Sequence, residues 1–222
     1  MCRRIFSRFL PKPPVSILDV GCGTGRDLDV LSHDGADCWG IDYLPAMIDY
    51  AKQQRPHLHL QVGDMCALRL GRTFDAIMCM GSTFMYALSN AAVQMALETF
   101  AAHSHFGTLL ILDINNGANY LGGEYFKKNI EYSVNSPEFS AQGFAVNSFD
   151  RRRQLLVRKR KWNIKGQGSV DDYCEYRLFF PAELEHLLAE IKFKVVGMFD
   201  NMELRETDLS GSRLYVASIF QS

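Results

Sequence analysis

Residues 15–31 read VSILDVGCGTGRDLDVL and decide the fold. The run 15–20 is mostly apolar, favours β-structure and ends at a glycine, which predicts a buried strand. A helical pattern begins at Asp27. Between them, residues 21–25 (GCGTG) form a turn in which three glycines let the backbone approach a ligand without interference from a Cβ atom. A buried strand, a glycine turn and the start of a helix together make the binding corner of nucleotide-type ligands.

The spacing of the glycines distinguishes two kinds of ligand site. A dinucleotide fingerprint has the form G-x-G-x-x-G, whereas this turn reads G-x-G-x-G and is followed by Arg26. Residues 19–25, DVGCGTG, resemble the first motif of the Rossmann-like, class I methyltransferases that depend on S-adenosylmethionine (SAM). The resemblance implies SAM as the cofactor, S-adenosylhomocysteine as its product, and the Rossmann-like sheet of that family.

The composition is that of an ordinary globular protein. The 222 residues are 47% hydrophobic and 22% charged, with a formal net charge of −1. This length is sufficient for one sizeable α/β core. This balance gives no indication of a nucleic-acid or membrane partner. The six cysteines form no C-x-x-C pair, and no apolar run approaches the roughly 20 residues of a membrane span. We expect a cytoplasmic protein with reduced thiols, and we interpret residues 1–10 as a basic amphipathic segment and not a signal peptide.

Strands and helices alternate through most of the chain. Beyond the first strand, the pattern predicts strands at 38–42, 58–62, 74–80, 108–114, 193–199 and 213–220, and helices at 45–54, 90–105 and 181–190. Asn90 is the expected cap of the second of these helices. The alternation predicts an α/β fold with a seven-stranded, mostly parallel sheet and helices on both faces.

Residues 132–180 break this rhythm. The segments 143–149, 154–164 and 173–180 look extended and are separated by polar turns such as 165–169, KGQGS. We interpret residues 132–180 as an antiparallel β-insertion before the last helix, within one methyltransferase domain that covers residues 1–222. We expect this insertion to form one wall of the substrate pocket.

Polar residues follow the predicted strands at the edge where ligands of open parallel sheets bind. Asp42 ends the second strand 21 positions after Gly21, where an acidic residue accepts hydrogen bonds from ribose hydroxyls. In the resembled family, the aspartate at the place of Asp64 accepts from the adenine amino group, and its neighbour packs on the ring. The expected cofactor-binding residues are Asp19, Gly21, Cys22, Gly23, Thr24, Gly25, Arg26, Asp42, Tyr43, Met47, Asp64, Met65, Met80 and Gly81.

Two segments narrow the resemblance to small-molecule N-methyltransferases related to glycine and sarcosine methyltransferases. Residues 80–88, MGSTFMYAL, are similar to the G-N-S-F-x-Y-L-type segment of that group, with Ser82 in place of the asparagine. Residues 176–184, YRLFFPAEL, resemble its R-x-(Y/F)-(Y/F)-P-x-E-L segment. The expected catalytic residues are Tyr86, Tyr120 and Arg177, and the further expected acceptor contacts are Asn115 and Asn116.

The resemblance implies methyl transfer to a small-molecule acceptor, which needs alignment and exclusion of water. An amine attacks as the neutral nitrogen, whereas a hydroxyl usually needs a base or a metal, and the sequence shows no His–Asp or metal constellation. We therefore expect methylation of an amine nitrogen, with O-methylation of a small acid or hydroxyl as the alternative. Two other classes stay open, a nicotinamide-dependent oxidoreductase and a SAM- or RNA-binding module.

Three remaining features are interpreted conservatively. The pairs His57-x-His59 and His103-x-His105 lack a third ligand at suitable spacing, so we expect no metal. The basic residues 151–153 and 158–161 are interpreted as a solvated hairpin face, with an anionic substrate group as the main alternative. About fourteen residues precede the first strand, fewer than the helical lid of the family needs. We expect one of three arrangements: an open site, a chain whose N-terminal lid has been trimmed, or a site covered by the insertion and a partner chain. We expect a monomer or a homodimer.

Overall fold

Two β-sheets and six helices make up the computed structural model, which describes residues 1–121, 123, 125–136 and 139–221. The strands are β1 (Ser16–Val20), β2 (Asp37–Asp42), β3 (His59–Val62), β4 (Phe74–Cys79), β5 (Ser104–Asn115), β6 (Asn129–Asn135), β7 (Ser140–Asp150), β8 (Leu155–Ile164), β9 (Gly168–Arg177), β10 (Phe193–Phe199) and β11 (Arg213–Phe220). The helices are α1 (Cys2–Phe9), α2 (Arg26–Ser32), α3 (Pro45–Gln54), α4 (Asn90–Ala102), α5 (Gly117–Tyr120) and α6 (Pro181–Glu190), and a 3-10 helix spans Thr83–Tyr86.

The first sheet has seven strands in the order β10-β11-β5-β4-β1-β2-β3. Neighbours from β3 to β5 run parallel, and β11 runs antiparallel to both β5 and β10. The predicted seven-stranded, mostly parallel sheet is therefore confirmed. Because β1 and β4 lie at its centre, the turns that follow them meet at the carboxyl edge, where ligands of such sheets bind.

Helices cover both faces of this sheet, as predicted. On one face, core A packs the sheet against α4, α6 and the 3-10 helix through residues such as Phe84, Phe100 and Leu188. On the other face, core B packs it against α1, α2 and α3 through residues such as Ile5 and Leu28. The strand β4 is buried along most of its length because helices lie on both of its sides.

The second sheet is antiparallel, with the order β6-β7-β8-β9. It confirms the predicted antiparallel insertion before α6, although β6, which starts at Asn129, was not predicted as a strand. Residues 137 and 138 of the predicted segment 132–180 lie outside the described residues. The base of this sheet joins the first one, because Leu156 and Leu178 belong to core A.

The predicted boundaries need two corrections around α4. Its cap is Ser89 and not Asn90, since the Ser89 side chain accepts a hydrogen bond from Ala92 N at 3.1 Å. The helix ends at Ala102, because Ser104 already pairs with Phe74 in the sheet. None of the described helices is long and apolar enough to span a membrane.

Candidate functional site

The glycine turn after β1 is held by backbone contacts with the end of β2. The amides of Gly21 and Cys22 both donate to Ile41 O at 2.8 Å. Gly21 and Gly23 have φ values of +81° and +55°, which favour glycine. A Cβ at Gly21 would lie 2.3 Å from the Thr83 side chain, whereas a Cβ at Gly23 would meet nothing within 4 Å. Gly21 is therefore closed in by packing, and Gly23 faces open space from which a ligand can approach.

Asp42 joins the glycine turn to the next two strand ends. Its Oδ2 accepts from Gly23 N at 2.8 Å, and its Oδ1 accepts from Leu44 N at 2.9 Å. Its backbone carbonyl accepts from Gly63 N at 3.0 Å, beside the turn that carries Asp64. The predicted ribose-binding carboxylate thus lies directly against the predicted binding turn.

Asp19 is a buried carboxyl group just before the glycine turn. Its Oδ1 has no hydrogen-bond partner within the described part of the chain. Burial, together with the nearby carboxylates of Asp27 and Asp42, raises the pKa of Asp19 to about 8. A hydrogen-bond donor on a ligand would satisfy this oxygen, whereas below about pH 8 the protonated carboxyl carries no charge of its own.

The turn after β4 is fixed by a charged cluster that the sequence analysis missed. Gly81 N donates to Asp113 Oδ2 at 3.0 Å, and Arg213 forms an ion pair with the same carboxylate. Arg213 Nη1 also donates to Ser82 Oγ at 3.0 Å and to Asn115 Oδ1 at 2.9 Å. Two sequence features could have indicated this cluster: the charged Asp113 near the end of the buried strand β5, and Arg213 at the start of β11. The cluster sets the position of the turn that packs against Gly21.

The other predicted cofactor-binding residues lie in or just after the glycine turn, or follow β2, β3 and β4. Asp64 Oδ1 accepts from Cys66 N at 2.8 Å, and Thr24 O accepts from Arg55 at 3.1 Å. Met65 packs against core A and Met80 against core B. The exposed members are Arg26, Tyr43, Met47 and Asp64.

Two tyrosines, which we call the rim, contact each other on the side where the acceptor is predicted to bind. The Tyr86 hydroxyl donates to the Tyr176 hydroxyl at 3.3 Å, and the ring centroids are 5.1 Å apart. Tyr86 is 51% exposed, whereas burial raises the pKa of Tyr176 well above its ordinary value. Tyr120 is half-buried and packs against core A. Tyr86 is therefore the most accessible of the three predicted catalytic side chains.

Arg177 is buried and its guanidinium is bound by its own chain. Nη1 donates to Asn90 Oδ1 at 2.6 Å and Nη2 donates to Glu183 Oε1 at 3.0 Å, which fastens the end of β9 to the starts of α4 and α6. The guanidinium also lies 5.2 Å from the Phe179 ring centroid. Asn116 is likewise buried and donates to Leu209 O at 2.7 Å. These contacts favour positioning roles for both, and a direct contact of Arg177 with an acceptor stays a prediction.

The histidines lie at the other edge of the first sheet. The pairs His59–Asp37 and His105–Asp75, at 3.5 and 3.4 Å, are at the amino ends of the strands. His103 is buried and accepts from Leu70 N at 2.9 Å. Among the described residues, no group of three or more His, Cys, Asp or Glu side chains is placed to hold a metal ion.

The residues at the carboxyl edge fit SAM. The open face at Gly23 and the carboxylate of Asp42 suit a ribose, and the unpaired Asp19 oxygen suits a hydrogen-bond donor of the ligand. Large apolar side chains at the ends of β2 and β3 are also exposed, which an aromatic base would cover: Tyr43, Leu44, Met47 and Val62.

Comparison with known proteins agrees with this geometry. Residues 17–107 match the family described as "Methyltransferase domain". The chain is 33% identical over 98 residues (44% of this chain, 41% of the relative) to dTDP-3-amino-3,4,6-trideoxy-alpha-D-glucopyranose N,N-dimethyltransferase of Streptomyces venezuelae. It is 38% identical over 96 residues (43% and 37%) to dTDP-3-amino-3,6-dideoxy-alpha-D-glucopyranose N,N-dimethyltransferase of Streptomyces fradiae.

The chain thus spans about two fifths of the length of these curated relatives. A likeness over nearly the whole chain comes from a solved structure, SAM-bound CalS10, an amino pentose methyltransferase from Micromonospora echinaspora. Its TM-score is 0.74 at 22% identity, over 98% of this chain and 87% of that one. Residues 17–107 thus match a methyltransferase family, and the chain as a whole has the Rossmann-like fold of this SAM-bound methyltransferase.

Proposed function

We propose that the chain transfers a methyl group from SAM to an amine nitrogen of a small-molecule acceptor. The observation that carries the proposal is the meeting of the glycine turn, Asp42 and the turn after β4 at one edge of the sheet, beside the exposed Tyr86. By their names, both relatives methylate amino groups of dTDP-linked amino sugars. An amino sugar linked to a nucleotide is therefore the first acceptor to test.

The cofactor side of the site would hold SAM through the glycine turn, Asp42, Asp64 and Met65. When bound, SAM supplies an electrophilic methyl group on a positively charged sulfonium. Asp42 would accept hydrogen bonds from ribose hydroxyls, and the buried Asp19 would accept one from a donor of the ligand. Met80 and Gly81 follow β4 at the same edge of the sheet.

The acceptor side would be formed by Tyr86, with Tyr176 and Tyr120 behind it. A neutral amine carries its own lone pair, so the chain needs to align it and to exclude water. The aromatic rim serves both needs. The His–Asp pairs lie at the opposite edge, and this arrangement favours an amine over a hydroxyl that needs a base.

The test is a methyl-transfer screen with tritiated SAM. Acceptors are a dTDP-linked amino sugar, glycine, sarcosine, a hydroxy acid and an RNA fragment. Labelling of an amine supports the proposal, and labelling of the hydroxy acid or the RNA alone overturns it. Calorimetry with SAM and with a nicotinamide dinucleotide, run in parallel, would expose an oxidoreductase by preferential binding of the dinucleotide.

A cytoplasmic location and a monomeric or homodimeric state belong to the same proposal. Light scattering of the purified protein and fractionation of the source cells test them.

A further inference from the structure

The sequence predicts that the basic run 158–161 lies on one solvated face of a hairpin. In the structure these four residues are divided between two faces. Because side chains alternate along a strand, residues 158 and 160 lie on one face of β8 and residues 159 and 161 on the other. Arg158 and Arg160 are half-buried, whereas Lys159 and Lys161 are exposed. The two arginines share their face with Tyr176, since Leu156 pairs with Tyr176 in the β8–β9 register.

We call this side of the second sheet the inner face, defined by Asn147, Leu156, Arg158, Arg160 and Tyr176. Its base belongs to the site, because Leu156 is part of core A and Tyr176 contacts Tyr86. Arg158 stands one row further out, opposite Cys174. A row on one face is two residues, or about 7 Å, from the next. The inner face therefore continues the acceptor rim outwards.

Arg158 is held in place with part of its guanidinium open. Its Nε donates to Asn147 Oδ1 at 2.9 Å, and its guanidinium lies 5.6 Å from the Tyr176 ring centroid. Asn147 is itself buried and donates to Lys127 O at 2.7 Å. Neither terminal nitrogen of Arg158 has a hydrogen-bond partner among residues 1–121, 123, 125–136 and 139–221. The side chain is thus oriented before any ligand binds.

The charges on the two faces differ. On the inner face, Arg160 forms an ion pair with Asp172, so Arg158 carries the remaining positive charge there. On the outer face, Glu175 lies 3.8 Å from Arg153 and accepts from the Tyr173 hydroxyl at 2.7 Å. The inner face consequently has one oriented and uncompensated cation close to the acceptor rim.

We propose that Arg158 binds an oxyanion of the acceptor, a phosphate or a carboxylate, while the amine lies at the Tyr86–Tyr176 rim. A guanidinium offers two parallel N–H donors that match such a group. The inference rests on the proposed function and narrows its substrate class to amines that carry an oxyanion, which would lie about one row of the sheet beyond the rim.

The experiment measures binding of defined oxyanions to the full chain saturated with S-adenosylhomocysteine. The titrants are inorganic diphosphate, thymidine diphosphate and succinate, so that the phosphate and carboxylate alternatives are separated. The variants are Arg158→Gln, Arg158→Lys and the matched control Lys159→Gln, which removes the neighbouring charge on the outer face. Thermal unfolding of each variant shows that it is folded.

We expect at least one titrant to bind the unmutated chain. Arg158→Gln should raise its Kd roughly ten- to a hundredfold, since hydrogen bonds to charged groups contribute that much. Arg158→Lys should lie in between, and Lys159→Gln should stay within about twofold. No binding of any titrant, or equal weakening by Arg158→Gln and Lys159→Gln, would overturn the inference.

Failure of the proposed function is distinguishable from this result. If the chain binds S-adenosylhomocysteine and methylates an amine but shows no effect of Arg158→Gln, only the oxyanion site is wrong. If it binds neither SAM nor its product, the proposed function fails first.

Discussion

At the scale of single residues, Asp19 links the site to the pH dependence of folding. An exposed aspartate ionises near pH 3.8, whereas the folded chain raises the pKa of Asp19 to about 8. Between these values the folded state keeps a proton that the unfolded state has released. The free energy of unfolding from this group therefore falls as the pH rises, by about 1.4 kcal/mol per pH unit, and levels off above about pH 8.

Asp19→Asn removes this dependence because the amide does not ionise. We expect the variant to exceed the unmutated chain in unfolding free energy by more at about pH 8 than at about pH 5. Urea unfolding at both pH values measures the difference, with Asp49→Asn, an exposed position on α3, as the control. A difference that is the same at both pH values would show that Asp19 is ionised in the folded chain.

Asp42→Ala tests the cofactor side of the proposed site. We expect SAM affinity to fall by about 1.5 to 3 kcal/mol, because a charged hydrogen-bond acceptor for the ribose is lost. Calorimetry measures the change, and Asp49→Ala serves as the exposed control. Unchanged SAM affinity in Asp42→Ala would show that SAM does not bind at the glycine turn and Asp42.

The candidate residues differ in how far the sequence predicts them. Asp42 follows from its distance to the glycine turn, because a strand and its crossover helix have nearly fixed lengths. The pair Asp113–Arg213 spans 100 positions, and no local pattern encodes it. It becomes visible only once β11 is known to lie beside β5. Arg177 shows the reverse problem. Its motif is recognisable in the sequence, but the hydrogen bonds of its side chain with Asn90 and Glu183 are not predictable from that motif.

At the scale of elements, the two glycines of the turn should respond differently to substitution. Gly21→Ala brings a Cβ within 2.3 Å of Thr83 at a φ of +81°, so we expect a clear loss of stability, about 1 to 3 kcal/mol. The Gly23→Val variant places its Cβ where no protein atom lies within 4 Å. It should keep the fold at the cost of backbone strain. It should lose SAM binding, because the branched side chain fills the space beside position 23 through which the ligand approaches.

Denaturant unfolding and SAM calorimetry on both variants check this contrast. The measurements compare, within each variant, the loss of unfolding free energy with the loss of SAM affinity. A Gly23→Val variant that is folded and binds SAM normally would place the ligand elsewhere.

Arg177 is expected to fasten three elements together. Arg177→Ala leaves Glu183 without its partner in a largely buried setting, and we expect the free energy of unfolding to drop by about 3 kcal/mol. Methyl transfer should then fall with the folded fraction. The control is Arg152→Ala in the exposed turn between β7 and β8. A stable Arg177→Ala protein with little transfer would instead support the predicted contact with the acceptor.

Elements were predictable where hydrophobic periodicity and caps agree. The bounds of α3 and α6 match the prediction, and both begin with a proline at the first helical position. The second sheet was predicted less completely, because β6 is mostly exposed and its alternation of Ile130, Tyr132 and Val134 with polar residues is short. Its pairing with β7 makes it a strand, and such pairing is not encoded locally.

At the scale of the whole molecule, the two sheets share one core. Leu156 and Phe179 come from the second sheet and the segment after it, and they lie in core A with Phe100 and Leu110. The Phe84 and Phe179 rings stack with centroids 4.9 Å apart, which joins the β4 turn to the segment after β9. We therefore expect the two sheets to unfold together, even though they have no strand pairing in common among the described residues.

The two tryptophans report on this expectation, because Trp39 lies in β2 of the first sheet and Trp162 in β8 of the second. In Trp39→Phe and Trp162→Phe, each with one tryptophan left, fluorescence and far-UV circular dichroism should give the same urea midpoint within each variant. S-adenosylhomocysteine at about 100 times its Kd should add about 2.7 kcal/mol to both, since it binds only the folded chain. A Trp162 transition at lower urea that the ligand does not move would mean that the second sheet unfolds by itself. The acceptor wall would then be a separate unit, and the coupling through core A would be refuted.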